Sequence, residues 1–221
     1  MQRIVKSSTT SHEVYHGQHR SEHWYVDNQV YFITARCRDR YPAFASEQAK
    51  GIFWDRFDHY AAKYGFQTWV VTLLDNHYHF EGYLPVGRNL GPMMRQLHGS
   101  VAKLVNDVLE AQSTAGAMNC PRRVPGVPGV PGAGAMNCPR RVPFWRESKR
   151  KDYFDGCIRD EKQCRLSCRY TMTQAERHGI CDDHRDYPHT RVLVDLEQAI
   201  RFAHEKKAFM EGVPYKRYLK R

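Results

Sequence analysis

Residues 68–79 constrain the fold more than any other stretch of the chain. Thr68-Trp69-Val70-Val71-Thr72-Leu73-Leu74 is an apolar run, closed by Asp75-Asn76 and followed by His77-Tyr78-His79. β-Branched and aromatic residues at this density favour strands. On a strand, residues two apart project from the same face. A strand running through the triplet puts both imidazoles on one face and turns Tyr78 into the core. Two imidazoles on one face are half of a metal site. The ordinary reading of a lone His-x-His is a pair of polar residues on a solvated face, so the pair needs a second group of residues to acquire a function.

The surrounding pattern is mixed. Gln29–Ala35 reads as a buried strand. Ser46 to about Lys63 reads as a helix: Ser46 can cap it, Ile52, Phe53, Phe57, Tyr60 and Ala61 recur at helical spacing, and Gly65 follows its end. The histidine strand continues to about Leu84, before Pro85. A long amphipathic helix is expected from about Asn89 to Glu110, with Pro92 in its first turn. The order strand, helix, strand, strand, helix predicts an α+β fold, an antiparallel sheet with helices packed mainly on one face.

Residues 115–143 differ in kind. Ala115–Pro125 recurs without change at Ala133–Pro143, with Gly126–Gly132 between the copies. Such Pro and Gly density opposes regular helix or sheet, so a flexible insert is expected there, a loop expansion that is thermodynamically cheap. Structure restarts at Phe144-Trp145. Tyr153–Ile158 is expected as a short strand or turn. Asp160 can cap a helix running to about Arg177, with Gly179 at its end, and a further helix is expected from Leu193 to about Met210. The chain thus divides into residues 1–114, the insert 115–143, residues 144–187 and a helical, basic extension, 188–221.

The net charge is +10. Residues 1–114 carry 12 Lys and Arg against 11 Asp and Glu, whereas 115–143 carry four Arg and no acid, and 144–221 carry 18 against 13. The basic excess therefore lies in the second half, which suits a polyanionic partner. No apolar run reaches the length of a membrane span, and the polar N-terminus lacks the apolar segment of a secretory signal. A soluble cytoplasmic protein, associated with nucleic acid and with no membrane partner, is expected. Without a signal, the seven cysteines are not a disulfide framework. Cys157, Cys164, Cys168, His178 and Cys181 could be read as a zinc cluster, but no Cys-x2-Cys pair occurs among them. Reduced, partly buried thiols are the expected state.

The second group of residues lies on the helix after Asp160. Tyr170 and Gln174 are four apart and share a helical face. Beside the histidine strand they would complete a set of His77, His79 and the Gln174 amide oxygen, with a phenol next to it. Nitrogen and oxygen ligands with open positions suit Mg²⁺ or Mn²⁺ bound together with a phosphate. A phenol there is a candidate nucleophile towards a phosphodiester. Tyr153 is a rival nucleophile without an amide partner at helical spacing. Asp75 and Glu81 are expected at the surface or behind the ligands, and no spacing singles out the other histidines, among them His59, His98 and His178.

Asn76-His77-Tyr78-His79, Phe144-Trp145 and Arg169-Tyr170-x-x-x-Gln174 with His178-Gly179 resemble the single-tyrosine HUH transposases. In that name a bulky hydrophobic residue stands between two histidines. Within the family the chain is most similar to the REP-associated tyrosine transposases, relatives of insertion-sequence transposases that move as single-stranded DNA. The resemblance spans residues from about 20 to 110 and from 144 to about 182. It implies a ferredoxin-like (RRM-like) HUH core and a divalent metal, Mg²⁺ or Mn²⁺, held by His77, His79 and Gln174. It implies that Tyr170 attacks DNA next to a hairpin, forming a 5′-phosphotyrosine and freeing a 3′-hydroxyl for strand transfer. The partner would be single-stranded DNA with a stem-loop, its backbone met by basic residues such as Arg146, Lys149, Arg150 and Lys151. The alternative is a catalytically silent hairpin-binding protein descended from such an enzyme. In the REP-associated subgroup an Asn-Pro pair often stands where this chain has Gln174-Ala175, a departure towards the insertion-sequence relatives. Monomer and homodimer stay open, because in some relatives the tyrosine helix serves the partner's histidines.

Overall fold

Antiparallel pairing organises the molecule around one central strand. The computed structural model describes residues 4–6, 13–15, 25–118, 144–145 and 152–210. Strands β1 (Ile4–Lys6) and β2 (Glu13–Tyr15) form a separate antiparallel pair. Strands β3 (Gln29–Arg36), β4 (Gln67–Leu73), β5 (His77–Leu84), β6 (Tyr153–Cys157) and β7 (Thr190–Val192) build a five-stranded sheet in the order β6-β3-β5-β4-β7. Every neighbouring pair in it is antiparallel. The α+β class expected from the sequence is the observed one.

Strand β5 is buried along its whole length. Its even residues Tyr78, Phe80 and Leu84 face one core, together with Tyr31, Ile33 and Ala35 of β3 and Val71 and Leu73 of β4. Helices α1 (Glu47–Tyr64) and α2 (Leu90–Met118) cover that face. Helix α1 starts on Ser46, whose side chain accepts from the Ala49 N–H at 3.2 Å, and stops at Gly65 in the left-handed conformation, φ 71°. That conformation costs a side-chain-bearing residue energy and costs glycine none.

The opposite face carries α3 (Glu161–Met172), the single turn α4 (Gln174–Arg177) and α5 (Leu196–Glu205). A second apolar cluster joins Val30, Trp69, Val70 and Tyr83 to Cys164 and Cys168 of α3 and to Ala199, Ile200 and Ala203 of α5. The two long helices thus hold one face and the shorter ones hold the other. Asp160 caps α3 by accepting from Gln163 N–H at 2.7 Å, while the Gln163 side-chain oxygen accepts from Arg159 N–H at 3.0 Å. Among the described residues, no helix is long and apolar enough to cross a membrane.

Four boundaries differ from expectation. Helix α2 runs on to Met118, four residues into the first repeat copy, because Ala-Gly-Ala-Met tolerates helix and the first proline comes only at Pro121. Residues 119–143, the rest of the expected insert, lie outside the described residues. The helix after Asp160 breaks at Thr173, and its last turn is separate. The helix expected over 193–210 is confined to Leu196–Glu205, preceded by the edge strand β7. Of the expected extension, residues 211–221 lie outside the described residues.

Tyr78, between the two histidines, is fully buried, and its hydroxyl lies 2.5 Å from His98 Nε2. The other nitrogen of that ring, Nδ1, bonds the Asp152 carboxylate. An ionised carboxylate only accepts, so Nδ1 carries the proton and Nε2 takes the tyrosine proton. Trp145 stacks on the same imidazole at 4.1 Å. Tyr78→Phe strands that nitrogen in a dry core and should cost about 1–3 kcal/mol in urea unfolding.

Candidate active site

The odd residues of β5 face α3. The register places Thr34 of β3 and Thr72 of β4 on either side of His79, and Arg36 beside His77. The two imidazoles are 5.2 Å apart between centroids and nearly perpendicular, at 88°. Both are buried, with exposures of 4% and 3%. Burial first, then the neighbouring His178 and Arg36, pushes His77 down to about 4. Burial and then the charge of His77 push His79 down to about 3. Both rings are therefore neutral near pH 7, the state that donates a lone pair.

Hydrogen bonds orient them. His77 Nδ1 lies 2.6 Å from Asn76 Oδ1, and the Asn76 amide nitrogen in turn donates to the Arg40 carbonyl at 3.2 Å. An amide oxygen only accepts, so His77 carries its proton on Nδ1 and keeps a lone pair on Nε2. His79 Nδ1 lies 2.6 Å from Thr34 Oγ1, and its Nε2 is buried without a hydrogen-bond partner among the described residues. Buried polar atoms without partners are rare and costly. A neutral imidazole held through Nδ1, with Nε2 facing an inner space, fits a metal ligand.

Gln174 is 2% exposed. Its amide nitrogen donates to the Tyr170 carbonyl at 2.7 Å, and its side chain neighbours His77. This leaves the amide oxygen, an oxygen donor of the kind a hard divalent cation accepts, beside the two imidazoles. The Tyr170 ring stands 5.2 Å from that of His79, edge to face, and 6.1 Å from that of Phe32. The Arg177 guanidinium sits 5.0 Å above the tyrosine ring. Tyr170 is 37% exposed and borders a groove of about 850 Å³ whose walls include Phe32, Arg36, Phe154, Arg169 and Arg177. His77, His79, Tyr170 and Gln174 are thus brought together by the residues of one chain, although roughly 90 residues separate the strand from the helix. The break at Thr173 does not part Tyr170 from Gln174.

Other expectations fare differently. Tyr153 pairs with Ala35 on β6 and projects to the opposite face, where its ring meets His98 at 5.8 Å. Of the two places expected for Glu81, the surface or behind the ligands, it takes the buried one, because the next odd position of β5 lies under α3. Arg146, Lys149, Arg150 and Lys151 lie outside the described residues. Sequence reading missed His178, whose ring is 5.1 Å from His77, as well as Arg36, Arg177 and the aromatic pair Phe32 and Phe154, 6.5 Å apart. Arg36 was within reach: it follows Thr34 by two on a strand that pairs with β5.

No protein-family model and no curated protein matches the chain. Among solved structures, it is similar to a REP-associated tyrosine transposase bound to a REP hairpin, with a TM-score of 0.52 and 15% identity. The match covers 79% of this chain and 87% of the other. At that identity the likeness shows a shared fold and nothing more.

The depressed histidines link the site to stability. Unfolded, each imidazole gains a proton near pH 6.5, whereas folded they resist until about 4 and about 3. Their contribution is therefore complete above 6.5 and drains away as pH falls through that window. Glu81, raised by burial to about 7, acts with the opposite sign as pH rises from 4.5. Two groups outweigh one, so the protein in EDTA should lose stability between about pH 6.5 and 5, at about 1.4 kcal/mol per unit for each unopposed proton. Urea midpoints should fall more steeply with acid in Glu81→Gln, which lacks the offset.

Proposed function

We propose that the protein is a metal-dependent single-stranded DNA endonuclease and strand transferase, with Tyr170 as nucleophile, acting beside DNA hairpins. One observation carries the reading. An accessible phenol stands 5.2 Å, ring to ring, from a buried neutral imidazole whose Nε2 has no partner, at the rim of an arginine-lined groove. His77 and His79 through Nε2, and Gln174 through its amide oxygen, would hold Mg²⁺ or Mn²⁺. The bound ion would supply Lewis-acid polarisation of a phosphate oxygen.

The chain's own groups do the rest. Asn76 and Thr34 hold the imidazoles, so the ligand atoms are placed before any ion or DNA arrives. Arg36, Arg169 and Arg177 offer cations to the phosphates on either side of the scissile bond. Phe154, 47% exposed, and Phe32 offer stacking faces to unpaired bases, a contact worth about 1–3 kcal/mol per base. The Tyr170 oxygen bonds to phosphorus, the phenolic proton leaves to water, and the bond from phosphorus to the 3′ oxygen breaks. That oxygen takes up a proton and leaves as a 3′-hydroxyl, while the 5′ strand stays on Tyr170. The ester conserves the phosphodiester energy, and a returning 3′-hydroxyl reverses the step on a new strand. Arg146, Lys149, Arg150 and Lys151 would contact the hairpin backbone. The similar transposase was solved on a REP hairpin, which supports a stem-loop as partner.

The test is nicking of hairpin-bearing single-stranded oligonucleotides with Mg²⁺ or Mn²⁺. Tyr170→Phe should abolish both the nick and the covalent protein–DNA adduct while hairpin binding persists, and EDTA should stop the wild type. Adduct formation by the variant would move the nucleophile elsewhere. Hairpin binding without any nick in the wild type would favour the silent binding protein. Thr34→Val, which removes the hydrogen bond that orients His79, should weaken metal affinity about 10–100-fold, read as a higher Mn²⁺ concentration for half-maximal nicking.

A further inference from the structure

Behind the histidines, the same strand and the same helix converge a second time. Glu81 of β5 and Cys164 and Cys168 of α3 have exposures of 0%, 0% and 2%. One ligand atom from each lies within 4.8 Å of the other two. The cysteines are four apart, so both thiols point from one helical face onto the sheet. Cys164 Sγ donates to Glu81 Oε1 at 3.2 Å, and Glu81 Oε2 is buried without a hydrogen-bond partner among the described residues. A buried carboxylate oxygen with nothing to bond is unusual in a core that could have held an apolar residue.

We propose that Glu81, Cys164 and Cys168 form a second metal site, for a thiophilic divalent cation such as Zn²⁺, which pins α3 to β5. The donor set decides the class. Two thiolates select Zn²⁺ over the hard cations that nitrogen and amide oxygen ligands accept at His77, His79 and Gln174. A tetrahedral ion with bonds of about 2.3 Å holds two sulfurs roughly 3.8 Å apart. The donors need to close by no more than about an ångström from their present spacing. Binding replaces the two thiol protons, which leave to solvent. Three protein ligands leave a fourth position for water.

The site has a structural consequence. Glu81 lies two residues beyond His79, and Cys168 two residues before Tyr170. An ion between them fixes the strand of the histidines against the helix of the phenol. The cysteines far from this point, Cys37, Cys157 and Cys181, take no part. The inference needs no assumption about Tyr170 chemistry or about DNA.

The test is replacement by Co²⁺ in the purified full-length protein, followed by ultraviolet and visible absorption. Expected is a sulfur-to-cobalt charge-transfer band with tetrahedral visible bands, retained in the His77→Ala/His79→Ala double variant and in Cys37→Ser. The band should be lost in Cys164→Ser/Cys168→Ser and weakened in Glu81→Gln. A wild type without the band, or a band that survives the double cysteine substitution, overturns the proposal. A second measurement needs no variant. With Zn²⁺ at 100 times its Kd, alkylation of Cys164 and Cys168 through opening of α3, mapped by mass spectrometry, should slow roughly 100-fold and recover on chelation. Unchanged alkylation of these two residues also overturns it.

Discussion

The two-residue period of strand β5 is the constraint on which the rest of the structure depends. Tyr78, Phe80 and Leu84 fill the core under α1 and α2, while His77, His79 and Glu81 face α3. A slip of one residue would put imidazoles and a carboxylate among Phe53, Phe57 and Met93, and aromatic rings against the tyrosine helix. The register is thus held by burial on both sides, which is why a central strand can carry three titratable groups. Tyr78 adds a directional lock, since its hydroxyl reaches only the His98 imidazole under Trp145.

Burial sets the chemistry as much as it sets the register. The imidazoles are kept neutral by a dry setting and by Arg36 and His178, so no proton has to be removed before they can donate. The cost is a site in which His79 Nε2 lacks a partner among the described residues until an ion satisfies it. Arg36, which helps to depress both histidines, also faces the groove, so one charge favours both deprotonated ligands and an anionic strand. Glu81 and the thiols repeat the arrangement one step further along β5, with softer donors and no open groove.

Much of this was legible in the sequence because the informative residues obey local periods. His77 and His79 needed only strand alternation, Ser46, Gly65 and Asp160 only cap chemistry, and Tyr170 with Gln174 only the helical repeat. What was not legible depends on contacts between distant segments. His178 reaches His77 because the chain turns after the break at Thr173, which no propensity demands. Surface and a place behind the ligands were both open for Glu81, because a single charge in an apolar strand says nothing of the helix that will cover it. Cys164 and Cys168 lacked zinc spacing because their third partner lies on another element. The edge strand β7 is three residues long and polar, too short for any pattern, and it exists because β4 offers it a ladder.

The tyrosine helix comes to the histidines from beyond residues 119–143, yet its position does not depend on that connector. After Trp145 the chain adds β6 to one side of the sheet, against β3, and β7 to the other side, against β4. Helix α3 lies between these two ladders in sequence and across the sheet face in space. Thr72 Oγ1 then donates to the Thr171 carbonyl at 2.8 Å, next to Tyr170, tying the helix to the strand beside His79. Two ladders and a buried hydrogen bond define the approach of the phenol, and the cost of closing the connecting loop rises only logarithmically with its length. A duplicated segment can therefore accumulate at this point in the chain without altering the spacing between Tyr170 and His79, whereas an insertion of one residue between β6 and α3 would shift the helical face that carries both the phenol and the thiols.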